Sequence, residues 1–200
     1  MKKIILFGGT FNPVHIGHME MLSALSMMEN ADRILLMPDK IPPHKICDML
    51  ASNEHRLNMC KILAGRFNNV FVSQLELNRE GKSYTLDTVK ELKALYPDYQ
   101  LAIAIGGDML ASFDKWKDYR ELLKLCQIIC FSRIGVEENL LQEKIKNFNE
   151  IGADIVLLDN EITEISSSFL RRNINNFEIL SKYIDKEILN YITDNNIYGE

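Results

Sequence analysis

The run Ile4-Ile5-Leu6-Phe7, followed at once by Gly8-Gly9-Thr10-Phe11-Asn12-Pro13-Val14-His15-Ile16-Gly17-His18, constrains this chain more than any other feature. Consecutive apolar residues suit a strand covered on both faces. Two glycines let the backbone pass close to a ligand with no Cβ in the way. A helix that starts behind them offers free N–H groups and the positive end of its dipole, which is the layout of a phosphate site. His15 and His18 stand three residues apart, so both rings share one face of the first helical turn and can reach phosphate oxygens. Gly17 is expected to leave room for nucleotide. No Gly-Lys-Ser/Thr follows and no Gly-x-Gly-x-x-Gly is present, so this is neither a Walker loop nor a dinucleotide fingerprint. A core histidine pair or a metal pair are the alternatives.

The same alternation continues along the chain. Strands are expected at residues 3–7, 33–37, 70–75, 101–105, 127–131 and 154–158. Helical patterns lie between them, at 16–29, through Leu86, Val89, Leu92 and Tyr96, and through Leu141, Ile145 and Phe148. Strict alternation predicts an α/β fold: a doubly wound, mostly parallel sheet with right-handed crossovers and its ligand site beyond the carboxyl ends of the strands. The whole of 1–200 reads as one domain, with two helical segments forming a tail over 166–200. The proline-bearing loop 38–52 is a candidate lid. A chain of 200 residues with 46% hydrophobic content can bury a sizeable core. Its net charge of −5 argues against a general nucleic-acid binder. No secretory signal or bilayer-length apolar run is read, so no membrane partner is expected. Cys47, Cys60, Cys126 and Cys130 are too scattered for a zinc knuckle and suit reduced thiols in a cytoplasmic protein. A homo-oligomer is left open.

Further motifs follow in order: Pro42-Pro43-His44-Lys45, Ser83-Tyr84-Thr85-Leu86-Asp87-Thr88, Ile105-Gly106-Gly107-Asp108, Lys115-Trp116 and Ile165-Ser166-Ser167-Ser168-Phe169-Leu170-Arg171. The opening motif resembles that of the HxGH nucleotidyltransferase superfamily. Together with the later segments, the chain closely resembles the bacterial nicotinate-nucleotide adenylyltransferases, from residue 3 to the Tyr-Ile…Ile-Tyr ending. Two positions depart from the family pattern. Asn12 stands where Asp is frequent, and an amide can still cap a turn. Ser168-Phe169 replaces Thr and a polar residue, which keeps a hydroxyl at 168.

The resemblance implies a Rossmann-like nucleotidyltransferase fold and transfer of the adenylyl group of ATP to nicotinate mononucleotide, with release of pyrophosphate. The attacking phosphate oxygen is already an anion, so the work is positioning and electrostatics. His15, His18 and Arg171 are the expected catalytic residues. ATP is expected against Gly8, Gly9, Thr10, Phe11, His15, His18, Lys45, Gly106, Asp108, Arg133, Ser166, Ser167 and Arg171. Ser166 to Ser168 read as an N-cap cluster with Arg171 one turn on, a second helix end for the β- and γ-phosphates. The ordinary alternative is a simple cap and a solvated arginine. Nicotinate mononucleotide is expected against Lys45, Tyr84, Thr85, Asp108 and Trp116. The indole offers a stacking face to the pyridinium, and the start of the helix at Thr85 offers N–H groups to the carboxylate. Mg²⁺ is expected to arrive with ATP, and no residue is assigned as a protein metal ligand. Glu54, His55 and Arg56 open a helix and read as structural. Transfer to nicotinamide mononucleotide or to another phosphorylated acceptor such as phosphopantetheine, and a non-catalytic nucleotide-binding regulator, stay open as alternatives.

Overall fold

The computed structural model describes residues 2–40, 49–81, 83–132 and 138–199, with only the backbone at Glu138. Strands β1 (Lys3–Gly9), β2 (Ala31–Pro38), β3 (Val70–Val72), β4 (Gln100–Gly106), β5 (Gln127–Phe131) and β6 (Ile155–Leu158) form one sheet in the order β3-β2-β1-β4-β5-β6. Every pairing is parallel. All six expected strands are present. The expected β3 is cut short at Val72, because the Ser73 hydroxyl accepts from the Leu75 N–H and turns the chain into a helix.

Side chains of a strand alternate between faces, and both faces here are buried. Ile5, Phe7, Ile34, Leu36, Ala102, Ala104, Ile129 and Phe131 belong to one core. It is closed by helices α1 (Ile16–Ser26) and α2 (Asn53–Ala64). Ile4, Leu6, Leu35, Met37, Leu101, Ile103, Ile105, Ile128 and Cys130 belong to the other. That second layer holds α3 (Leu75–Asn78), α4 (Thr85–Leu95), α5 (Gly107–Ala111), α6 (Tyr119–Leu125) and α7 (Glu138–Glu150). Each run of alternate residues meets helices, which is why the strands read as continuous apolar stretches.

Past β6 come three helices rather than the expected two: α8 (Ser167–Arg172), α9 (Phe177–Tyr183) and α10 (Lys186–Asp194). The break falls where the Asn176 side chain accepts from the Ile179 N–H and caps a new helix. Leu170, Leu180, Ile184, Ile188 and Ile192 join the core of α1 and α2. Strand order reverses direction between β1 and β4, so the crevice at their carboxyl ends is where the fold opens to a ligand.

Candidate active site

A cavity of about 370 Å³ opens at that reversal point. Its floor is the end of β1 and the turn that follows. Phe11 takes a left-handed φ of 50° and its ring fills the space above Gly9, where a Cβ would stand 3.0 Å from the ring. The carbonyls of this turn are held from behind. Arg56 Nη1 donates to Thr10 O at 2.9 Å, Arg171 Nη1 to Asn12 O at 2.7 Å, and Ser167 Oγ to Pro13 O at 2.8 Å. Arg56 is fully buried and pairs with Asp39 at 3.2 Å. Asp39 in turn accepts from the Thr10 hydroxyl at 3.0 Å.

His15 is the N-cap of α1, and its ring stacks on that of His18 with centroids 3.7 Å apart. The His15 N–H donates to His18 Nδ1 at 3.2 Å. A ring nitrogen that accepts carries no proton, so neutral His18 holds its proton on Nε2 and is a donor there. The Phe11 ring meets His18 edge-on at 5.0 Å. His15 is buried and His18 is half-buried, so His18 presents the more open ring. The space at Gly17 is not nucleotide space: a Cβ there would meet Thr163 O at 3.0 Å and His15 Nδ1 at 3.3 Å. The glycine lets the chain before α8 pack on α1.

α8 faces this floor across the cleft. Ser166 caps it by accepting from the Phe169 N–H. The helix has six residues, too few for the strong dipole expected of a second phosphate-binding helix end. Arg171 is nearly buried, and besides Asn12 O it donates to Ser168 Oγ at 3.3 Å. The guanidinium is therefore a brace between α8 and the turn as well as part of the cleft wall.

The opposite wall is the start of α4, where Tyr84 is the N-cap and Thr85 the first helical residue, as expected. Trp116 is half-buried and stacked on Phe113 with centroids 4.7 Å apart, which backs the indole with a second aromatic ring. Lys117 sits over the Tyr84 ring at 4.4 Å and approaches Asp87. Beneath lies Glu76, almost fully buried, which accepts from Thr88 Oγ1 at 2.7 Å. Arg79 donates to the same hydroxyl and to Glu91. Burial pushes the Glu76 carboxyl above the usual carboxylate range, against the pull of Thr88 and Arg79. Gly106 ends β4, and Asp108 stands at the rim in α5.

One cleft thus gathers Gly8, Gly9, Thr10, Phe11, His15, His18, Tyr84, Thr85, Gly106, Asp108, Trp116, Ser166, Ser167 and Arg171. Lys45, with its neighbour His44, and Arg133 lie outside the described residues, as does most of the loop 38–52. Residues 6–173 match the cytidylyltransferase-like family. A protein of Carboxydothermus hydrogenoformans named "Probable nicotinate-nucleotide adenylyltransferase" is 36% identical, with 98% of each chain covered. One of the same name from Bacillus licheniformis is 35% identical, with 99% of each chain covered. The chain belongs to the nicotinate-nucleotide adenylyltransferase family.

Solved structures agree on the fold. The Plasmodium falciparum nicotinic acid mononucleotide adenylyltransferase complexed with NaAD superposes with a TM-score of 0.84 at 22% identity, covering 99% of this chain and 98% of that one. Three cleft residues have no local motif to mark them: Asp39, Glu76 and Lys117. Arg56, expected as structural, braces the turn at Thr10. Asn12 also does more than cap: its Nδ2 donates to Met49 O and its Oδ1 accepts from the Ala51 N–H, a pair of roles that a carboxylate cannot fill.

Proposed function

We propose that this chain transfers the adenylyl group of ATP to nicotinate mononucleotide, giving nicotinate adenine dinucleotide and pyrophosphate as a step of NAD biosynthesis. The observation that carries this is the convergence of the turn at 8–18, α8 and the Tyr84–Thr85/Trp116 wall on one cleft. The full-length relatives' names support the same chemistry.

ATP lies with its phosphates along Gly8 to Phe11, between His18 and the Ser166–Ser167–Arg171 edge, and Gly106 and Asp108 border the nucleotides. The mononucleotide lies against Trp116, with its ring carboxylate at the N–H groups that open α4, where the helix dipole favours an anion. Its phosphate oxygen attacks the α-phosphorus, and the bond to the bridging oxygen of pyrophosphate breaks. The attacker is already charged, so no side chain must remove a proton. His18 Nε2–H donates to the oxygen on which charge grows, and Arg171 adds a fixed positive charge. Lys117, over Tyr84, adds another on the acceptor wall. Among the described residues, no three His, Cys, Asp or Glu side chains gather as a metal cage. Mg²⁺ would arrive with ATP, the triphosphate supplying most of its ligands, and would neutralise phosphate charge.

The chain acts as a single unit, and a cytoplasmic setting suits its ATP supply and the free thiols of Cys60, Cys126 and Cys130. No helix among the described residues is long and apolar enough to cross a membrane. The test is pyrophosphate release with ATP and each of three acceptors: nicotinate mononucleotide, nicotinamide mononucleotide and phosphopantetheine. Fastest release with the nicotinate compound is expected. Faster release with either of the others would overturn the acceptor assignment.

A further inference from the structure

The hydrogen bonds behind the phosphate-side turn reach one residue that has no place in the reaction, Tyr198. After α10 the backbone reverses sharply. Asn196 and Tyr198 both adopt left-handed φ, at 47° and 72°. That region is rarely occupied by residues other than glycine and asparagine, and for a bulky ring it has to be held by its surroundings. The Ile197 N–H bonds to Ile192 O at 2.9 Å, and the Ile197 side chain is buried. Gly199 closes the reversal, since a Cβ there would collide with the Asn196 side chain. The result is that the Tyr198 ring packs against the core behind β1 and its hydroxyl donates to Asn12 Oδ1 at 2.7 Å.

Asn12 is the hub of the turn and is 1% exposed. Its Oδ1 also accepts from the Ala51 N–H at 3.0 Å, its Nδ2 donates to Met49 O at 3.1 Å, and its carbonyl accepts from Arg171 Nη1 at 2.7 Å. Phe11, the residue before it, sets the edge contact with His18. A shift of Asn12 therefore moves both the guanidinium of Arg171 and the ring that packs on His18. Burial raises the Tyr198 phenol well above its ordinary value despite the nearby Arg171 and Arg56, so the hydroxyl remains a donor.

We propose that Tyr198 is a positioning residue, whose hydroxyl fixes Asn12 and through it the turn that aligns His18 and Arg171. The proposal rests on the adenylyl-transfer reading for its kinetic consequence and on geometry alone for its structural one.

Tyr198→Phe keeps the ring and its packing and deletes only the donor. With ATP and nicotinate mononucleotide, kcat is expected to fall about tenfold while both KM values stay within about threefold, because misplaced groups cost most in the transition state. Hydrogen exchange of a peptide spanning residues 8–18 should quicken by about tenfold, while a peptide within β4 keeps the wild-type rate. In an Asn12→Ala background the same substitution should add nothing further. Wild-type kcat together with wild-type exchange at 8–18 would overturn the proposal. So would equal acceleration in β4, which means general stability, or a full tenfold loss in the Asn12→Ala background, which means a route other than Asn12. Should the wild-type chain fail to transfer adenylyl groups at all, the functional reading falls, while the exchange comparison still decides the role of Tyr198.

Discussion

Two single residues divide the proposed work, one on each side of the cleft. His18 accepts the His15 N–H at Nδ1, which leaves Nε2–H as the donor toward phosphate. His18→Ala removes that donor and also an edge contact of the Phe11 ring, but no fully buried side chain. Turnover should drop about a hundred- to thousandfold, the usual cost of one transition-state donor. The fold should persist by circular dichroism, and near-wild-type kcat in that variant would remove His18 from the mechanism. Trp116 lies on the other side, stiffened by its stack on Phe113. Trp116→Ala should raise KM for the mononucleotide about tenfold, as loss of a ring stack does, and leave KM for ATP nearly unchanged. Parallel rises in both would place the indole elsewhere than at the pyridine ring.

At the level of elements, the cleft wall at Tyr84–Thr85 depends on how α3 is tied to α4. Glu76 of α3 is buried and takes a hydrogen bond from Thr88 of α4, while Arg79 reaches both Thr88 and Glu91. Burial holds the Glu76 carboxyl above its ordinary value of 4.5. The folded chain therefore keeps a proton that the unfolded chain has already lost. The stability linked to that proton is complete below the ordinary value and is lost as pH rises through the folded one. Glu76→Gln is neutral throughout. Melting curves from about pH 4 to about pH 8 should thus show the wild type losing ground to the variant as pH rises. A constant difference would mean that the Glu76 carboxyl titrates alike in the folded and unfolded chains. The same elements show what sequence can and cannot disclose. The strands and the long helices were legible because burial on two faces, or on one helical stripe, writes itself as a period in the residues. α3, α5 and α6, at four, five and seven residues, are shorter than the repeat needs to show itself. The motifs Gly8–His18 and Ser166–Arg171 are legible because their residues are contiguous in the chain, and both line the cleft. Glu76, Lys117 and Asp39 are not legible, since each matters only through a partner that the sheet order or the chain's turns bring near. The space at Gly17 is filled by Thr163, which is remote in sequence, so the neighbouring residues give no sign of what packs there.

Across the whole molecule, segments from both ends and the middle of the chain meet at the reversal of strand order between β1 and β4. Arg56 in α2, Ser167 and Arg171 in α8, and Tyr198 beyond α10 all converge on the carbonyls and side chain of one turn. In the proposed reaction, this assembly joins the α-phosphorus of ATP to the phosphate of nicotinate mononucleotide. The most direct measurement incubates the purified chain with ATP labelled at the α-phosphorus, nicotinate mononucleotide and Mg²⁺, then separates the products. The label should appear in nicotinate adenine dinucleotide, with one pyrophosphate released per dinucleotide formed. Label that stays in ATP, or that leaves only as AMP, would contradict the account.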